Sequence, residues 1–293
     1  MDVFITGGTG LIGSAVVAEL LRAGHEVTAL ARSERSAEAA EGAGARAVRG
    51  GLADLAVLRR EAERAGGGVH LAFSNDFSSP AALESAIAEE TAAVETMGQA
   101  LIGSDRPFVT VSGTPWIPGR TSTEEDPLPV DGPVGGRGLA VTRTLGLADR
   151  GVRASAVRMP RTVHDRGEGG FAGLLTAAAR RTGVSGWVGD GAQRWPAVHA
   201  RDAAVLFRLA LEQAPAGSSW HAVQDEGDTM RDIAAVIGRR LGLPVEQVPQ
   251  EAFGPLGAIF ALDQASSSAI TRRALGWLPT RPRLLEDLEL LTS

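Results

Sequence analysis

The chain has 293 residues, 44% hydrophobic and 22% charged, a composition that is ordinary for a folded globular protein. A net charge of -6 and the lack of a basic stripe argue against a nucleic-acid partner, and no apolar run approaches the ~20 residues that span a bilayer. Cysteine is absent, which excludes disulfides and thiolate nucleophiles, and tyrosine is absent as well. Because the N-terminus shows no signal peptide, these features predict a cytoplasmic protein.

The first half of the chain alternates short β-rich segments with helical patterns, which is typical of a parallel sheet built from βαβ units. Strands are predicted at Val3–Thr6, Glu26–Leu30, Arg46–Arg49, Val69–Ala72, Phe108–Ser112 and Arg153–Arg158. Helices are predicted between them at Leu11–Ala23, Asp54–Ala65, Leu83–Ile102 and Leu139–Arg150. The segment Trp116–Gly138 is rich in Pro, Gly and acidic residues, so it is predicted to be a long loop that borders a binding site.

Beyond Pro160 glycine-rich segments separate mainly helical stretches. Helices are predicted at Phe171–Thr182, Asp202–Gln213, Met230–Leu241 and Arg283–Leu291, and a returning strand at Trp220–Val223. The whole pattern predicts an α/β fold, with a doubly wound parallel Rossmann sheet and a smaller, mainly helical C-terminal lobe. Residues 1–165 together with 196–224 are expected to form the dinucleotide-binding domain, and residues 166–195 and 225–293 the substrate-binding lobe.

The most informative segment is T-G-G-T-G-L-I-G at residues 6–13, which lies between a strand and a helix. Gly7 allows a tight turn, Gly10 lets a pyrophosphate approach the backbone, and Gly13 lets the helix pack closely on the strand. The free amides at the start of that helix bind phosphate. A glycine-rich turn without a ligand is the alternative, and the strand–turn–helix–strand context favours a dinucleotide site.

The residues after the second strand indicate which nucleotide is bound. NAD sites place an acidic residue there to hold the ribose 2′-OH, whereas NADP sites use arginine for the 2′-phosphate. Here the sequence reads Arg32-Ser33-Glu34-Arg35, so Arg32, Ser33 and Arg35 are predicted to hold a phosphate. The alternative is a solvated arginine at the start of a helix. The sequence therefore predicts NADP(H) as the cofactor.

Several motifs in order resemble the short-chain dehydrogenase/reductase superfamily, in its extended NAD(P)-dependent epimerase/dehydratase-like branch. These are the glycine motif at 6–13, V-H-L-A-F at 69–73, V-T-V-S-G-T at 109–114, V-R-M-P at 157–160, W-P-A-V-H-A-R-D-A-A at 195–204 and L-G-W-L-P at 275–279. The resemblance covers nearly the whole chain. It implies the following cofactor contacts in addition to Arg32, Ser33 and Arg35: Gly7, Thr9, Gly10, Leu11, Ile12, Leu52, Ala72, Phe73, Pro160 and Val163.

The catalytic residues of that family are only partly present. Its members use a Ser with a Tyr-x-x-x-Lys pair about two dozen residues later, the Tyr transferring the proton. Ser112 matches the serine, but Arg137 stands in place of the Tyr and Val141 in place of the Lys. Since the chain contains no tyrosine, the standard proton donor is absent.

Three replacements remain open. Arg137 would polarise a substrate oxygen without transferring a proton, because guanidinium stays protonated at neutral pH. His164 beside Asp165, just after the Pro160 turn, would titrate near neutrality; otherwise it is an exposed loop histidine. In the third case the substrate or a water molecule relays the proton and the protein supplies geometry and Ser112.

The leading hypothesis is therefore an NADPH-dependent oxidoreductase, a reductase that transfers hydride to a carbonyl or imine of a small organic substrate. The alternatives are an epimerase or dehydratase that uses the nicotinamide transiently, and a non-catalytic NADP-binding sensor. The histidines at 70, 164, 199 and 221 lack metal-ligand spacing, so no metal is expected. A homodimer through the helices near 83–102 and 139–150 is common in the superfamily, but their apolar positions fit packing on the sheet equally well.

Overall fold

The computed structural model describes residues 1–74, 79–132 and 135–292. Its strands are β1 Asp2–Thr6, β2 Glu26–Ala31, β3 Arg46–Arg49, β4 Gly67–His70, β5 Pro107–Gly113, β6 Arg153–Met159, β7 Thr162–His164, β8 Ser185–Trp187, β9 Arg194–His199, β10 Ser218–His221, β11 Asp225–Thr229 and β12 Val245–Gln247. Its α-helices are α1 Leu11–Arg22, α2 Glu34–Gly42, α3 Leu55–Arg64, α4 Pro80–Ala100, α5 Gly135–Leu145, α6 Gly170–Thr182, α7 Ala200–Gln213, α8 Met230–Leu241, α9 Gly257–Phe260, α10 Ala269–Leu275 and α11 Leu284–Leu288. Two 3-10 helices span Gly146–Arg150 and Gln250–Leu256.

The described residues form a seven-stranded sheet in the order β10-β6-β5-β4-β1-β2-β3, and every neighbouring pair is parallel. The strand order reverses between β1 and β4, because β2 lies on one side of β1 and β4 on the other. In open sheets of this kind ligands bind at the carboxyl ends of the strands, at that point of reversal. The predicted doubly wound parallel sheet is confirmed.

Strand β1 explains how the sheet is buried on both faces. Val3, Phe4 and Ile5 are fully buried. Because side chains alternate along a strand, Val3 and Ile5 enter the core beneath α1 and α7, whereas Phe4 enters the opposite core beneath α3 and α4. Each such side chain stabilises the fold by roughly 1.5–3 kcal/mol. A continuous apolar strand is therefore what this position in the sheet requires.

A second core lies under the later part of the chain. Helices α6, α8 and α11 pack around the fully buried Trp195 of β9, together with Leu175, Met230 and Phe260. Two small sheets accompany it: β7 and β9 are parallel, β11 is antiparallel to β9, and β8 is parallel to β12. The lobe therefore contains short strands in addition to the helices that the sequence predicts.

Local differences from the sequence prediction have local causes. Helix α2 was not predicted because its sequence has few apolar residues; a capping box between Ser33 and Ser36 starts it instead. Strand β4 begins two residues earlier than expected. Helix α5 begins at Gly135, within the segment expected to be a loop, and residues 133–134 of that segment lie outside the described part.

Helices α4 and α5 pack against each other within the chain. Ala93, Val94 and Met97 of α4 are buried in the core beneath the sheet, whereas Leu139 of α5 is 40% exposed. Because these three α4 residues are buried within the chain, they do not support the expected homodimer interface. Along the described residues, no helix is both long and apolar enough to cross a membrane.

We predict that acid weakens this fold through His70, the fully buried last residue of β4. Burial, and then the charge of Arg137, lower the pKa of His70 from 6.5 to about 3. As pH falls from about 6.5 towards 3, the unfolded chain binds a proton that the folded chain does not, so the free energy of unfolding falls by up to about 1.4 kcal/mol per pH unit. Urea titrations of the wild type and His70→Asn between these pH values measure this slope. The variant should show a shallower loss, and an equal slope in both proteins would contradict the assignment to His70.

Candidate functional site

A large cleft opens at the carboxyl ends of the sheet strands. Its volume is about 1070 Å³, and its lining includes the residues that directly follow β1, β2, β3, β4 and β6 and the end of β5. Each position expected to contact the cofactor borders it: Gly7, Thr9, Gly10, Leu11, Ile12, Arg32, Ser33, Arg35, Leu52, Ala72, Phe73, Pro160 and Val163. Ser112 and Arg137 border it as well. The structure thus brings together residues from seven segments that are separate in sequence.

The glycine turn at the start of α1 forms a backbone cradle. Gly7 has a φ of +74°, and a Cβ there would lie 2.7 Å from the amide nitrogen of Ala72. A Cβ at Gly13 would lie 1.9 Å from the carbonyl oxygen of Gly7, so only glycine allows α1 to approach this closely. Gly10 is the N-cap, no side chain caps the helix, and its first turn carries no acidic residue. The first amides of α1 therefore face the cleft without a side-chain acceptor, an arrangement that fits a phosphate.

The segment after β2 presents positive charge to the same cleft. Arg32 and Arg35 are exposed, and neither makes an ion pair with any residue in the described ranges. Glu34 between them lies 3.4 Å from Arg49, in an ion pair. Ser33 and Ser36, at the start of α2, border this end of the cleft, and the Ser33 hydroxyl accepts a hydrogen bond from the Ser36 amide. Two arginines and a helix start are suited to an added phosphate.

The opposite end of the cleft contains Ser112 and Arg137. Ser112 lies at the end of β5 and is mostly buried. Arg137, on the first turn of α5, donates from Nε and Nη2 to the buried carboxylate of Glu90, at 2.7 and 2.8 Å. Its guanidinium also lies over the ring of Phe73, with Cζ 4.1 Å from the ring centroid. A cation held in place by Glu90 therefore borders this end of the cleft.

The expectation for His164 requires correction, because the structure places this side chain outside the cleft. His164 is fully buried, so it is not an exposed loop histidine either. Its Nδ1 donates to Oδ2 of Asp287 at 2.8 Å, and its ring packs edge-on against His199 at 5.4 Å between centroids. Its partner is therefore Asp287 of α11 rather than the adjacent Asp165, which lies near His199 Nε2 at 3.4 Å.

Two charged residues of the cleft were not recognised in the sequence. Glu89 of α4 is the one carboxylate that borders the cleft within the described part of the chain. Arg161, directly after Pro160, also borders it and is only 8% exposed. The sequence feature that indicates Arg161 is a charged residue directly after Pro160, which itself follows β6. No cluster of three or more potential metal ligands occurs among the described residues.

Comparisons with known proteins agree with this fold. Residues 3–223 match the model of the NAD dependent epimerase/dehydratase family, so the chain belongs to that family. An uncharacterized protein of Schizosaccharomyces pombe, C2A9.02, is 41% identical to the chain over 98% of both proteins.

Two solved structures of enzymes with the same fold are also similar. A UDP-glucose 4-epimerase of Thermotoga maritima with UDP-glucose is 21% identical, with a TM-score of 0.77 over 99% of this chain and 97% of that one. The dTDP-glucose 4,6-dehydratase DesIV of Streptomyces venezuelae with NAD and TYD bound is 21% identical, with a TM-score of 0.76 over 99% of this chain and 95% of that one. At this identity, the likeness shows a common fold.

We predict that two glycine substitutions in the cradle separate cofactor binding from folding. In Gly10→Ala the new Cβ meets Gly7 O at 3.6 Å, an ordinary contact, so the fold should persist. The methyl group would nevertheless occupy the space that a phosphate needs, and the dissociation constant for NADP+ should rise about tenfold or more. In Gly13→Ala the 1.9 Å approach to Gly7 O forces the backbone apart. This variant should lose on the order of 2 kcal/mol or more of stability.

Calorimetric titration with NADP+ measures the binding, and urea unfolding measures the stability. Gly146→Ala, which does not border the cleft, is the control for adding a methyl group, because a Cβ there meets no atom within 4 Å and its φ is not positive. Wild-type affinity in Gly10→Ala would show that no phosphate lies at this turn.

Proposed function

We propose that this chain is an NADPH-dependent reductase that transfers hydride to a carbonyl of a small organic substrate. The observation that carries the proposal is the pair of exposed arginines, Arg32 and Arg35, at the end of the cleft opposite Ser112 and Arg137. An acidic residue would be needed at the end of β2 to prefer the 2′-OH of NAD, and arginine stands there instead. An imine substrate would meet the same residues.

The cleft residues fit a nicotinamide dinucleotide along its whole length. Amides at the start of α1 would hold the pyrophosphate, and Arg32, Ser33 and Arg35 the 2′-phosphate. Ala72 would border the adenosine side, and Pro160 and Val163 the nicotinamide side, whereas Phe73 lies against the Arg137 guanidinium. Bound NADPH supplies the hydride. The glycine cradle, which a single Cβ would fill, supports this assignment.

At the reacting end, the residues of the chain would stabilise charge on the substrate oxygen. The Ser112 hydroxyl donates a hydrogen bond to the carbonyl oxygen, and the Arg137 guanidinium provides a fixed positive charge. The Glu90 pair uses Nε and Nη2 of Arg137, so Nη1 is the part of the guanidinium that Glu90 does not engage. Guanidinium does not release a proton at neutral pH, so the proton that completes the alcohol comes from water. Tyrosine is then not required for proton transfer.

A second candidate is an epimerase or dehydratase that oxidises and then reduces its substrate again. The family match favours it, as do the UDP-glucose epimerase and the dTDP-glucose dehydratase that share the fold. Such a cycle needs a base that removes and returns a proton, and the Tyr–Lys pair that does so in the family is missing here. Net NADPH consumption identifies the reductase. Substrate conversion without net change in the cofactor identifies the second candidate, and tight NADPH binding without any turnover identifies a sensor.

We predict that Arg32→Asp discriminates between the two cofactors. Loss of a charge-assisted bond to a 2′-phosphate, together with repulsion by the new carboxylate, should weaken NADPH binding about 100-fold. Binding of NADH, which lacks that phosphate, should change less than about threefold. Titration of nucleotide fluorescence measures both dissociation constants.

Arg59→Asp is the control for charge, because Arg59 is an exposed arginine of α3 that does not border the cleft. It should leave both dissociation constants unchanged. Equal losses for NADPH and NADH in Arg32→Asp would remove the reason to prefer NADP.

We also predict that Ser112→Ala slows turnover of any carbonyl that the wild type reduces. Removal of one hydrogen-bond donor to a developing oxyanion lowers kcat by about 10²–10³-fold. The NADPH dissociation constant should stay within about twofold, because the hydroxyl is assigned to the substrate and not to the cofactor. Steady-state assays and binding titrations on the same preparations test both statements. Unchanged turnover would reject a catalytic role for Ser112.

A further inference from the structure

Arg161 is a buried arginine in the wall of the cleft, on the turn between β6 and β7. It is 8% exposed and lies directly after Pro160. Burial lowers its pKa from 12.5 to about 10, and no neighbouring acid offsets this effect. Its charge is therefore removed from water without a carboxylate partner among the described residues.

The bonds that Arg161 does make are all to uncharged groups. Nη1 donates to the carbonyl oxygen of Ile259 and Nη2 to Oε1 of Gln264, both at 2.6 Å. Nε is buried and has no hydrogen-bond partner in the described part of the chain. The guanidinium carbon lies 5.0 Å from the ring centroid of Phe171 and 5.5 Å from that of Trp195. These contacts fix the guanidinium, but they leave a buried cation without an anion, which is costly.

Other arginines in or near the cleft have an acidic neighbour or are exposed to water. Arg137 is paired with Glu90, and Arg32 and Arg35 are exposed. Arg158 is buried too, but the charges of Glu124 and Asp126 act on it favourably. Arg161 thus differs from each of these four in being buried, beside the cleft and without an acid.

The surroundings of Arg161 connect it to the end of the cleft that contains Ser112. Strands β5 and β6 are paired so that Ser112 faces Arg158 and Gly113 faces Met159, two residues before Arg161. Gln264 bridges the two strand ends, because it accepts from Arg161 and its Nε2 donates to the carbonyl oxygen of Thr114 at 2.9 Å. Ser112 and Arg161 both border the cleft, so a group bound at Arg161 would lie in the same cleft as a carbonyl bound at Ser112.

We propose that Arg161 binds a carboxylate of the substrate, which makes the substrate class short-chain oxo acids. This proposal rests on the proposed reductase function. A guanidinium carries five N–H donors, and the bonds to Ile259 and Gln264 use two of them. Its planar fork matches a carboxylate. A single guanidinium favours a singly charged carboxylate over a dianionic phosphate, whose second charge it would leave uncompensated. The substrate then completes an ion pair that the protein itself lacks.

The test compares oxo acids with their methyl esters, which differ in the charge that Arg161 would bind. The probes are 2-oxobutanoate and acetoacetate, each beside its ester, with NADPH oxidation as the first measurement. The second is calorimetric binding of 2-hydroxybutanoate and of its methyl ester to the NADP+-loaded protein. We expect kcat/KM to be at least about tenfold higher for each oxo acid than for its ester. The hydroxy acid should likewise bind at least about tenfold more tightly than its ester, because its carboxylate forms a charge-assisted pair with Arg161. An ester that matches or exceeds its acid in the wild type overturns the proposal.

Two variants test whether Arg161 causes the preference for acids over esters. Arg161→Gln should abolish the preference for acids and leave the dissociation constant for NADPH within about twofold. Gln264→Glu supplies an internal carboxylate where Arg161 now bonds to an amide oxygen, so it should lower acid binding and leave ester binding unchanged. If Arg161→Gln does not fold, the Gln264→Glu result and the wild-type comparison decide alone. Acid preference that survives in both variants overturns the role of Arg161.

The same data separate this proposal from the reductase function. Equal oxidation of NADPH with acids and esters supports the reductase and rejects the carboxylate site. Preferential binding of the hydroxy acid, without NADPH oxidation by any carbonyl, supports the carboxylate site and rejects the reductase. Tighter binding of a phosphate monoester than of the hydroxy acid rejects the carboxylate assignment.

Discussion

The contact between Gly13 and the carbonyl of Gly7 is the constraint on which the geometry of this cleft depends. It allows α1 to begin directly at the end of β1, and the amide of Gly10 then donates to Gly7 O at 3.2 Å. That packing aims the first turn of α1 between β1 and β4, where the strand order reverses. The arginine-bearing segment after β2 lies on one side of this point, and Ser112 lies on the other. Both ends of the cleft are thus defined relative to a single turn.

The electrostatics of the cleft contrast with those of the chain. The protein has a net charge of -6, yet the described residues lining the cleft include four arginines and one glutamate. A local excess of positive charge in an acidic protein raises the concentration of anions at that place. Such a field suits the pyrophosphate of a nicotinamide dinucleotide. It also suits an anionic substrate near Arg137, which is paired with Glu90, and near Arg161, which has no acidic partner among the described residues.

Much of the fold could be predicted because it depends on local patterns. Continuous apolar strands, glycines at fixed spacing and amphipathic helices define β1, α1 and most of the central sheet. Helix α2 escaped prediction because it depends on a capping box between Ser33 and Ser36 and not on apolar periodicity. His164 was misplaced because its partner, Asp287, is 123 residues away, and no local pattern reports such a contact. Arg161 was missed for the same reason, since burial of a charged side chain is decided by Ile259 and Gln264 of a distant segment.

The pairing of β10 with β6 has a consequence for how the protein assembles. Between these neighbours the chain runs through residues 160–217, which include α6, β9 and α7. Parallel pairing across such a long excursion costs more loop entropy than pairing with an adjacent element, so this edge of the sheet closes late in folding. Until it does, β6 presents unpaired amides and carbonyls to solvent. Chains that end before residue 218 therefore lack the strand that covers this edge of β6.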